Sequence, residues 1–339
     1  MCHRRLKGRA LANKGRDNER GAALLTVLLL VAVIAVLAGH ALERMRLATR
    51  LGANAIAIDQ ARAFAMAAET AAMVRINTVL ARDAARVTLQ GDWAGKPYPL
   101  PVPGGIATAT VTDGGNCFNL NGLVQQPDVE TLVVRPASID QFARLMRVIG
   151  IPDQQARSIA AASADWIDTD NVRQPDGAED SDYASISPRY LPANTMMTDP
   201  SELRAVLGVT PAIYAKLRPW ICTLPVAKPT RININTLLPE QAPLLAMLLP
   251  DTLDISRARA VLLERPAQGF TSTVAFWQGA ALKGVTAGPE VQQQTAVTTQ
   301  WFGLKIDVAL GGTQLTQTAL IDATEPPVRL VSRAWSDPS

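Results

Sequence analysis

Between Gly21 and Gly39 the chain runs nineteen residues without a charge, GAALLTVLLLVAVIAVLAG, and this run constrains everything around it. At 1.5 Å per residue a helix of that length spans roughly 28 Å, close to the hydrocarbon thickness of a bilayer. Before it stand Arg4, Arg5, Lys7, Arg9, Lys14, Arg16 and Arg20, against only Asp17 and Glu19. A cationic flank of that density holds the N-terminal end on the cytoplasmic side, so the residues after about position 42 are expected to be translocated. A cleaved secretory signal needs small residues at a cut site beyond the run. Ala38-Gly39-His40-Ala41 is a poor site of that kind.

The apolar run does not end its helix. No proline occurs between Ala22 and Pro97, and an Ala-rich stretch extends from Ala53 to Ala85. Leu47, Leu51, Ala55, Ile58, Arg62 and Ala65 follow three- to four-residue spacing, as do Ala72, Ile76 and Leu80. The pattern predicts one helix of roughly sixty residues, apolar all round in its first third and amphipathic beyond. Gly39 and Gly52 weaken it locally without stopping it.

The basic tail also explains the net charge of +3: residues 1–21 alone carry +5, which leaves −2 on the remainder. A mildly acidic body argues against nucleic-acid binding. The only histidines are His3 and His40, so the rest of the chain has none for zinc sites, Ser-His-Asp triads or Cys-His dyads. No Gly-x-Ser-x-Gly, P-loop or Cys-x-x-Cys occurs either, and the chain reads as a non-enzyme. Of three cysteines, Cys2 lies in the tail, leaving Cys117 and Cys222. If the body is exported, these two form a natural disulfide, worth roughly 4–5 kcal/mol in the chain-entropy model; two buried thiols are the alternative.

In the body, the proline- and glycine-rich stretch from Gly91 to Gly105 reads as a loop. Ile106 to Thr112 alternates with period two and reads as a strand, turned at Asp113-Gly114-Gly115, with a second strand or edge over Asn116 to Asn121. From about 128 to 220 the chain is helical, with apolar residues at helical spacing over Ile139–Val148 and Asp153–Trp166. Ser201-Glu202-Leu203 and Thr210-Pro211 read as helix starts. Trp220 to Leu224 is strand-like, and residues 232–296 return to helical pattern. Strands are expected again at Trp301–Leu310, Thr313–Ile321 and Val328–Arg333, with a turn at Gly311-Gly312.

Glu19-Arg20-Gly21 followed by Ala22-Ala23-Leu24-Leu25 resembles the leader of type IV prepilins. That resemblance implies cleavage by a prepilin peptidase after Gly21, methylation of the new N-terminal Ala22, and retention of the apolar helix as anchor. The fifth residue of such a mature chain would be Thr26, where most pilin-like proteins carry Glu. Thr26 supplies no charge to meet a neighbour's N-terminal amine, and its hydroxyl can bond back to a carbonyl one turn earlier. Further phrases follow in order: Asn116-Cys117-Phe118-Asn119-Leu120-Asn121, Asp165-Trp166-Ile167-Asp168, Gly177-Ala178-Glu179-Asp180, Ser201-Glu202-Leu203-Arg204, Arg218-Pro219-Trp220-Ile221-Cys222 and Ile232-Asn233-Ile234-Asn235-Thr236. Together they resemble the minor pseudopilin K family of type II secretion systems across nearly the whole chain.

The resemblance implies an α+β, pilin-like fold: a long N-terminal helix packed on an antiparallel sheet, with a large inserted α-helical domain. The expected divisions are a leader at 1–21, the membrane part of the helix at 22–42, pilin helix and first strands at 43–124, and the inserted helical domain at 125–220. A strand with a second helical segment at 221–299 and C-terminal strands at 300–339 complete it. The disulfide would clamp the insertion near its ends. The implied role is a subunit of the inner membrane, single-pass with a periplasmic body, that caps the pseudopilus tip and helps initiate assembly. The implied partners are minor pseudopilins I, J and H, major pseudopilin G and the prepilin peptidase.

Seven carboxylates crowd the eighteen residues from Asp165 to Asp182. Such a run repels itself unless a cation fills it, and Ca²⁺ takes six to eight oxygens from a flexible loop. The spacing is not that of an EF-hand, and a solvated acidic loop is the plain alternative. The resemblance implies Ca²⁺ here, with Asp168, Asp170, Glu179, Asp180 and Asp182 as ligands, Asp176 a weaker one, and Asp165 on the helix side.

Two other functions compete. Ile232-Asn-Ile-Asn-Thr236 followed by short helices resembles the start of helix-hairpin-helix repeats that bind nucleic acid. The stretch from Leu237 to Asp254 has no Lys or Arg to meet phosphate, so we read that likeness as fold alone. A minor pilin of a type IV pilus-like machine is the other; Thr26 and the helical insertion favour the secretion system.

Overall fold

The computed structural model describes residues 14–249 and 252–336, with side chains from residue 21 onward. The expected leader at 1–21 therefore lies largely outside the described residues. The chain divides into two units, residues 1–62 and 63–339. Helix α1, Lys14–Arg82, passes through both. In the first unit, every side chain from Gly21 to Gly39 is exposed, as suits a segment whose solvent is lipid. The Thr26 hydroxyl donates back to the Ala23 carbonyl at 2.9 Å, so this side chain is satisfied within its own helix.

The second unit begins with the last five turns of α1. After it come strands β1 (Pro97–Val102), β2 (Gly105–Asp113), β3 (Phe118–Asn119), β4 (Val124–Gln125) and β5 (Val133–Val134). Helices α2 (Pro136–Val148), α3 (Asp153–Asp165), α4 (Asp180–Tyr183) and α5 (Pro211–Leu217) follow, then β6 (Ile221–Cys222) and β7 (Ile232–Asn233). Helices α6 (Ala242–Ala246), α7 (Ile255–Leu263), α8 (Thr273–Trp277) and α9 (Pro289–Gln293) lead to β8 (Thr295–Ala296), β9 (Trp301–Leu310), β10 (Thr313–Asp322) and β11 (Arg329–Ser336).

Five strands form the main sheet in the order β1-β2-β9-β10-β11, antiparallel throughout. Its alternation is that of a sheet covered on one face: Ala107, Ala109 and Val111 of β2, and Leu304, Ile306 and Val308 of β9, are buried. The buried stripe of α1 is Ala65, Ala68, Ala72, Ile76 and Val79, at the three- and four-residue spacing of one helix face. Glu69 lies within that stripe. Arg333 of β11 forks onto it, Nη2 to Oε1 at 2.7 Å and Nε to Oε2 at 2.9 Å, and Gln317 of β10 donates to the same carboxylate. One buried acid on the helix thus meets a matched cation on the sheet, the geometry in which a buried charge is tolerated.

The proline-rich segment corrects the sequence reading: its centre is strand β1 rather than loop. β1 pairs with β2 from Pro97↔Thr110 to Val102↔Gly105. Pro97, Pro99 and Pro101 recur at every second residue of an edge strand, where the missing N–H groups are those directed away from the neighbour.

The insertion is also larger than the 125–220 expected. β2 and β9 are hydrogen-bonded neighbours, and Gly114 donates to the Trp301 carbonyl at 2.8 Å, so the chain leaves the sheet at 114 and returns at 301. Everything between is one body with a single apolar cluster running from Phe118 to Leu282. The strand-like signals at 116–121 and 220–224 do not join the main sheet, and the stretch read as helical from 232 opens with a short strand, β7, that does not join it either. β3 pairs with β6 and β7 with β8, two residues each and parallel. The Cys117–Cys222 disulfide, Cα atoms 5.8 Å apart, ties the start of the insertion to its middle rather than to its end.

Candidate metal centre

The acidic run begins where α3 stops. Asp165 is the last residue of α3, and Asp168 follows one turn on, its amide still bonded to the Ala164 carbonyl at 2.9 Å. A loop then leaves and returns. Gly177 donates to the Gln174 carbonyl at 2.9 Å, closing a turn with Pro175 and Asp176 at its two central positions. Asp176 has φ 65°, the pattern of a type II turn, and Asp is among the few residues that tolerate it. Glu179 then precedes α4, where its amide donates to Asp182 Oδ2 at 3.0 Å. The carboxylate of Glu179 does not close the reciprocal half of that capping box: neither of its oxygens accepts a hydrogen bond.

Three carboxylates are buried here: Asp165 and Asp168 wholly, Glu179 at 5% exposure. Asp165 is satisfied. Both its oxygens lie 3.2 Å from the Gln174 amide and Oδ2 accepts from Ala178 at 2.8 Å. Asp168 and Glu179 are not: all four of their oxygens are buried without a hydrogen-bond partner. Burial, aggravated by the charges of Asp170, Asp165 and Glu179, pushes Asp168 up to about 8. Burial, with the charge of Asp165 next, pushes Glu179 up to about 7, and burial pushes Asp165 to about 6. Buried anions without partners are expensive, and protonation or a cation relieves them.

The other predicted ligands are distributed unevenly. Asp170 is exposed and its Oδ1 accepts from the Val172 amide at 2.8 Å. Asp180 opens α4 and is half-buried. Asp182 is held by the Glu179 amide and by Arg173, 3.4 Å away. Asp176 turns elsewhere, toward Gln154 at 3.5 Å and Arg157 at 3.9 Å on α3. Its place in the cluster is conformational. As the side chains stand, no three His, Cys, Asp or Glu groups among the described residues converge to hold an ion. Like charges have no reason to close on one point before a cation neutralises them. The donor set fits a hard cation: oxygens only, two of the carboxylates dry and unpartnered. Trp166 packs edge to face on both Tyr183 and Tyr190, its centroid 5.3 Å from that of Tyr183, and the two tyrosines are tilted against each other.

The sequence signal singled out this segment by its charge density, and Gly177 entered only within the phrase Gly177-Ala178-Glu179-Asp180, with no steric role attached. A Cβ built there overlaps Asp165 Oδ2 and stands 3.0 Å from the Gln174 carbonyl oxygen. The expected processing pair, Gly21 and Ala22, lies exposed on α1. In the helix-hairpin-helix-like segment, Arg257 donates to the Ala281 and Lys283 carbonyls at 3.1 and 2.6 Å, so that guanidinium is engaged within the fold.

Two family models, both described as type II secretion system (T2SS), protein K, match, one over residues 116–226 and the other over residues 232–299. Type II secretion system protein K of Pectobacterium carotovorum subsp. carotovorum is 35% identical over 325 residues, covering 94% of this chain and 97% of that one. That of Klebsiella pneumoniae is 35% identical over 318 residues, covering 94% and 96%. Among solved structures, a chain of the GspK-GspI-GspJ complex from enterotoxigenic Escherichia coli superposes with a TM-score of 0.72 at 30% identity, covering 83% of this chain and 97% of that chain.

Proposed function

This chain belongs to the type II secretion system protein K family, and on that premise we propose that it is the minor pseudopilin that caps the pseudopilus tip and helps start its assembly. The observation that carries the reading is the insertion: residues 114–300 form one large body between two adjacent strands of a pilin sheet. Bulk of that size at one subunit obstructs the addition of another above it, which is what a terminal subunit needs. Thr26 supports the same reading. Its hydroxyl is satisfied by Ala23 within α1, and it offers no carboxylate to a neighbour's amine. A subunit so built is a poor interior repeat.

The partners proposed are the cognate minor pseudopilins I and J, which stand with protein K in the solved relative, together with H, the major pseudopilin G and the prepilin peptidase. The cationic leader and apolar run favour an inner-membrane anchor, and the Cys117–Cys222 bridge favours a periplasmic body. The role we propose is structural rather than catalytic, in keeping with a family of secretion-system components; the absence of histidine beyond His40 removes His-based chemistry.

We also assign Ca²⁺ to the acidic pocket. Asp168 and Glu179 would hold it, with Asp170, Asp180 and Asp182 completing the shell and Asp176 contributing least. When bound, the ion supplies the positive charge that the buried carboxylates lack. Expression with I and J and purification from detergent extracts tests the whole reading: the three subunits should co-purify, and N-terminal sequencing should find a methylated Ala22. A mature protein that begins near residue 42 and remains in the soluble fraction would overturn it.

A further inference from the structure

Asp165 is the one buried carboxylate of the acidic pocket that the fold itself satisfies, and the way it is satisfied defines a role. Its two oxygens reach across the loop to the amides of Gln174 and Ala178, at 3.2 and 2.8 Å. Those amides bracket the Pro175-Asp176 turn, and Ala178 is the residue before Glu179. Asp165 in turn stands three residues before Asp168 at the rigid end of α3. The carboxylate therefore spans the gap between the element that carries Asp168 and the strand of loop that carries Glu179. Gly177 lies at the closest approach, where any side chain overlaps Asp165 Oδ2. Without this contact, nine residues of exposed and half-exposed loop would separate two anions that repel each other.

We propose that Asp165 is the positioning residue of the cation site. It does not ligate the ion; it latches residues 174–178 through two backbone amides and so holds Glu179 in one pocket with Asp168, with Gly177 the position that must lack a side chain for the latch to close. The inference rests on the calcium reading above, and extends it from the carboxylates that meet the ion to the pair that aims them. Neighbours that orient ligands typically change metal affinity by about 10–100-fold when removed.

The test uses the full chain in detergent, calcium titrations by calorimetry, and hydrogen exchange of the Gln174 and Ala178 amides in EDTA. Asp165→Ala is expected to weaken calcium binding by at least about tenfold and to speed exchange at both amides. Gly177→Ala, which leaves every carboxylate in place, should do the same. In the double variant the losses should not add, because the overlap at residue 177 disappears with the Asp165 side chain. Asp165→Asn keeps one acceptor and should recover part of the affinity. A merely structural latch predicts fast amides with unchanged calcium affinity, and that result overturns the proposal while leaving the calcium reading intact. Loss of binding in Asp165→Ala with wild-type affinity in Gly177→Ala overturns it in favour of Asp165 as a direct ligand. Wild-type protein that binds no calcium while its two amides stay protected removes the calcium reading itself, and the positioning role with it.

Discussion

Asn233 and Asp168 are both buried in the inserted body, at 1% and 0% exposure, yet their polar atoms end in opposite conditions. Asn233 donates through Nδ2 to the Val87 carbonyl at 3.0 Å and the Thr299 hydroxyl at 2.9 Å, and its Oδ1 accepts from the Asn235 amide at 2.9 Å. Its own amide donates to Asn116 Oδ1. Asn119 and Asn121 are equally complete, bonded to backbone groups of residues 197, 224, 226 and 228. Asn233, with Asn116 and Thr299, pins the place where the insertion leaves and rejoins the sheet, and Asn119 and Asn121 tie its start to its middle. Asp168 and Glu179 have no such partners. Neutral amides can be satisfied by backbone alone, so a network of them folds complete. Like-charged groups left without donors cannot satisfy one another, and this is the ground on which we propose a cation there.

The first way to test that contrast is to loosen the finished region by its covalent tie. Cys117→Ser with Cys222→Ser opens a loop with a sequence separation of 105, and is expected to cost about 4–5 kcal/mol by the chain-entropy model. Denaturant unfolding should show the loss equally in calcium and in EDTA. Asn233→Ala leaves the Val87 carbonyl and the Asn235 amide without their partner and removes one of the two bonds at the Thr299 hydroxyl, at an expected cost of about 3–4 kcal/mol. Again calcium should make no difference, and a calcium-dependent cost would erase the distinction between the two regions.

The acidic pocket should behave in the opposite way. Calcium at about a hundred times its dissociation constant stabilises by about 3 kcal/mol. Chelation should therefore lower the melting temperature of the wild type. Asp168→Asn should abolish that response while raising the melting temperature in EDTA, since it removes an acid that the fold must either keep protonated or bury charged. Equal melting temperatures of the wild type in calcium and in EDTA would leave the pocket without its ion.

The smallest effect sits in the finished region and titrates. Asp113 accepts from the Thr236 hydroxyl at 2.6 Å, the Thr299 hydroxyl and the Gly115 amide at 2.9 Å, yet burial outweighs these bonds and pushes its carboxyl up to about 6. The fold thus favours the protonated form. The cost of the charge is absent below about pH 4, grows as pH rises toward about 6, and is constant above. Measured in calcium, the wild type should lose about 2 kcal/mol relative to Asp113→Asn between those limits. A stability gap that does not change with pH would refute the assignment.

Much of this was legible in one dimension. The apolar run, the amphipathic continuation of α1, helices α2 and α3, and strands β2, β9, β10 and β11 all follow local periodicity, which a reader of the chain can count. The acidic segment was legible too, as charge density. The proline row at 97, 99 and 101 misled because proline breaks most strands; at a sheet edge it blocks only the donors that face outward. The extent of the insertion misled because β3, β6, β7 and β8 are too short to reveal that they pair among themselves.

The sequence by itself marked an apolar run long enough to cross a membrane, the longer helices and strands, and the acidic segment from Asp165 to Asp182. Tertiary structure decided that Asp165 and Asp168, three residues apart, have opposite fates: one closed by the amides of Gln174 and Ala178, the other left without a partner. Hydropathy and charge are properties of each residue, whereas desolvation and hydrogen-bond satisfaction depend on what distant parts of the chain bring alongside, and only the folded arrangement fixes those neighbours.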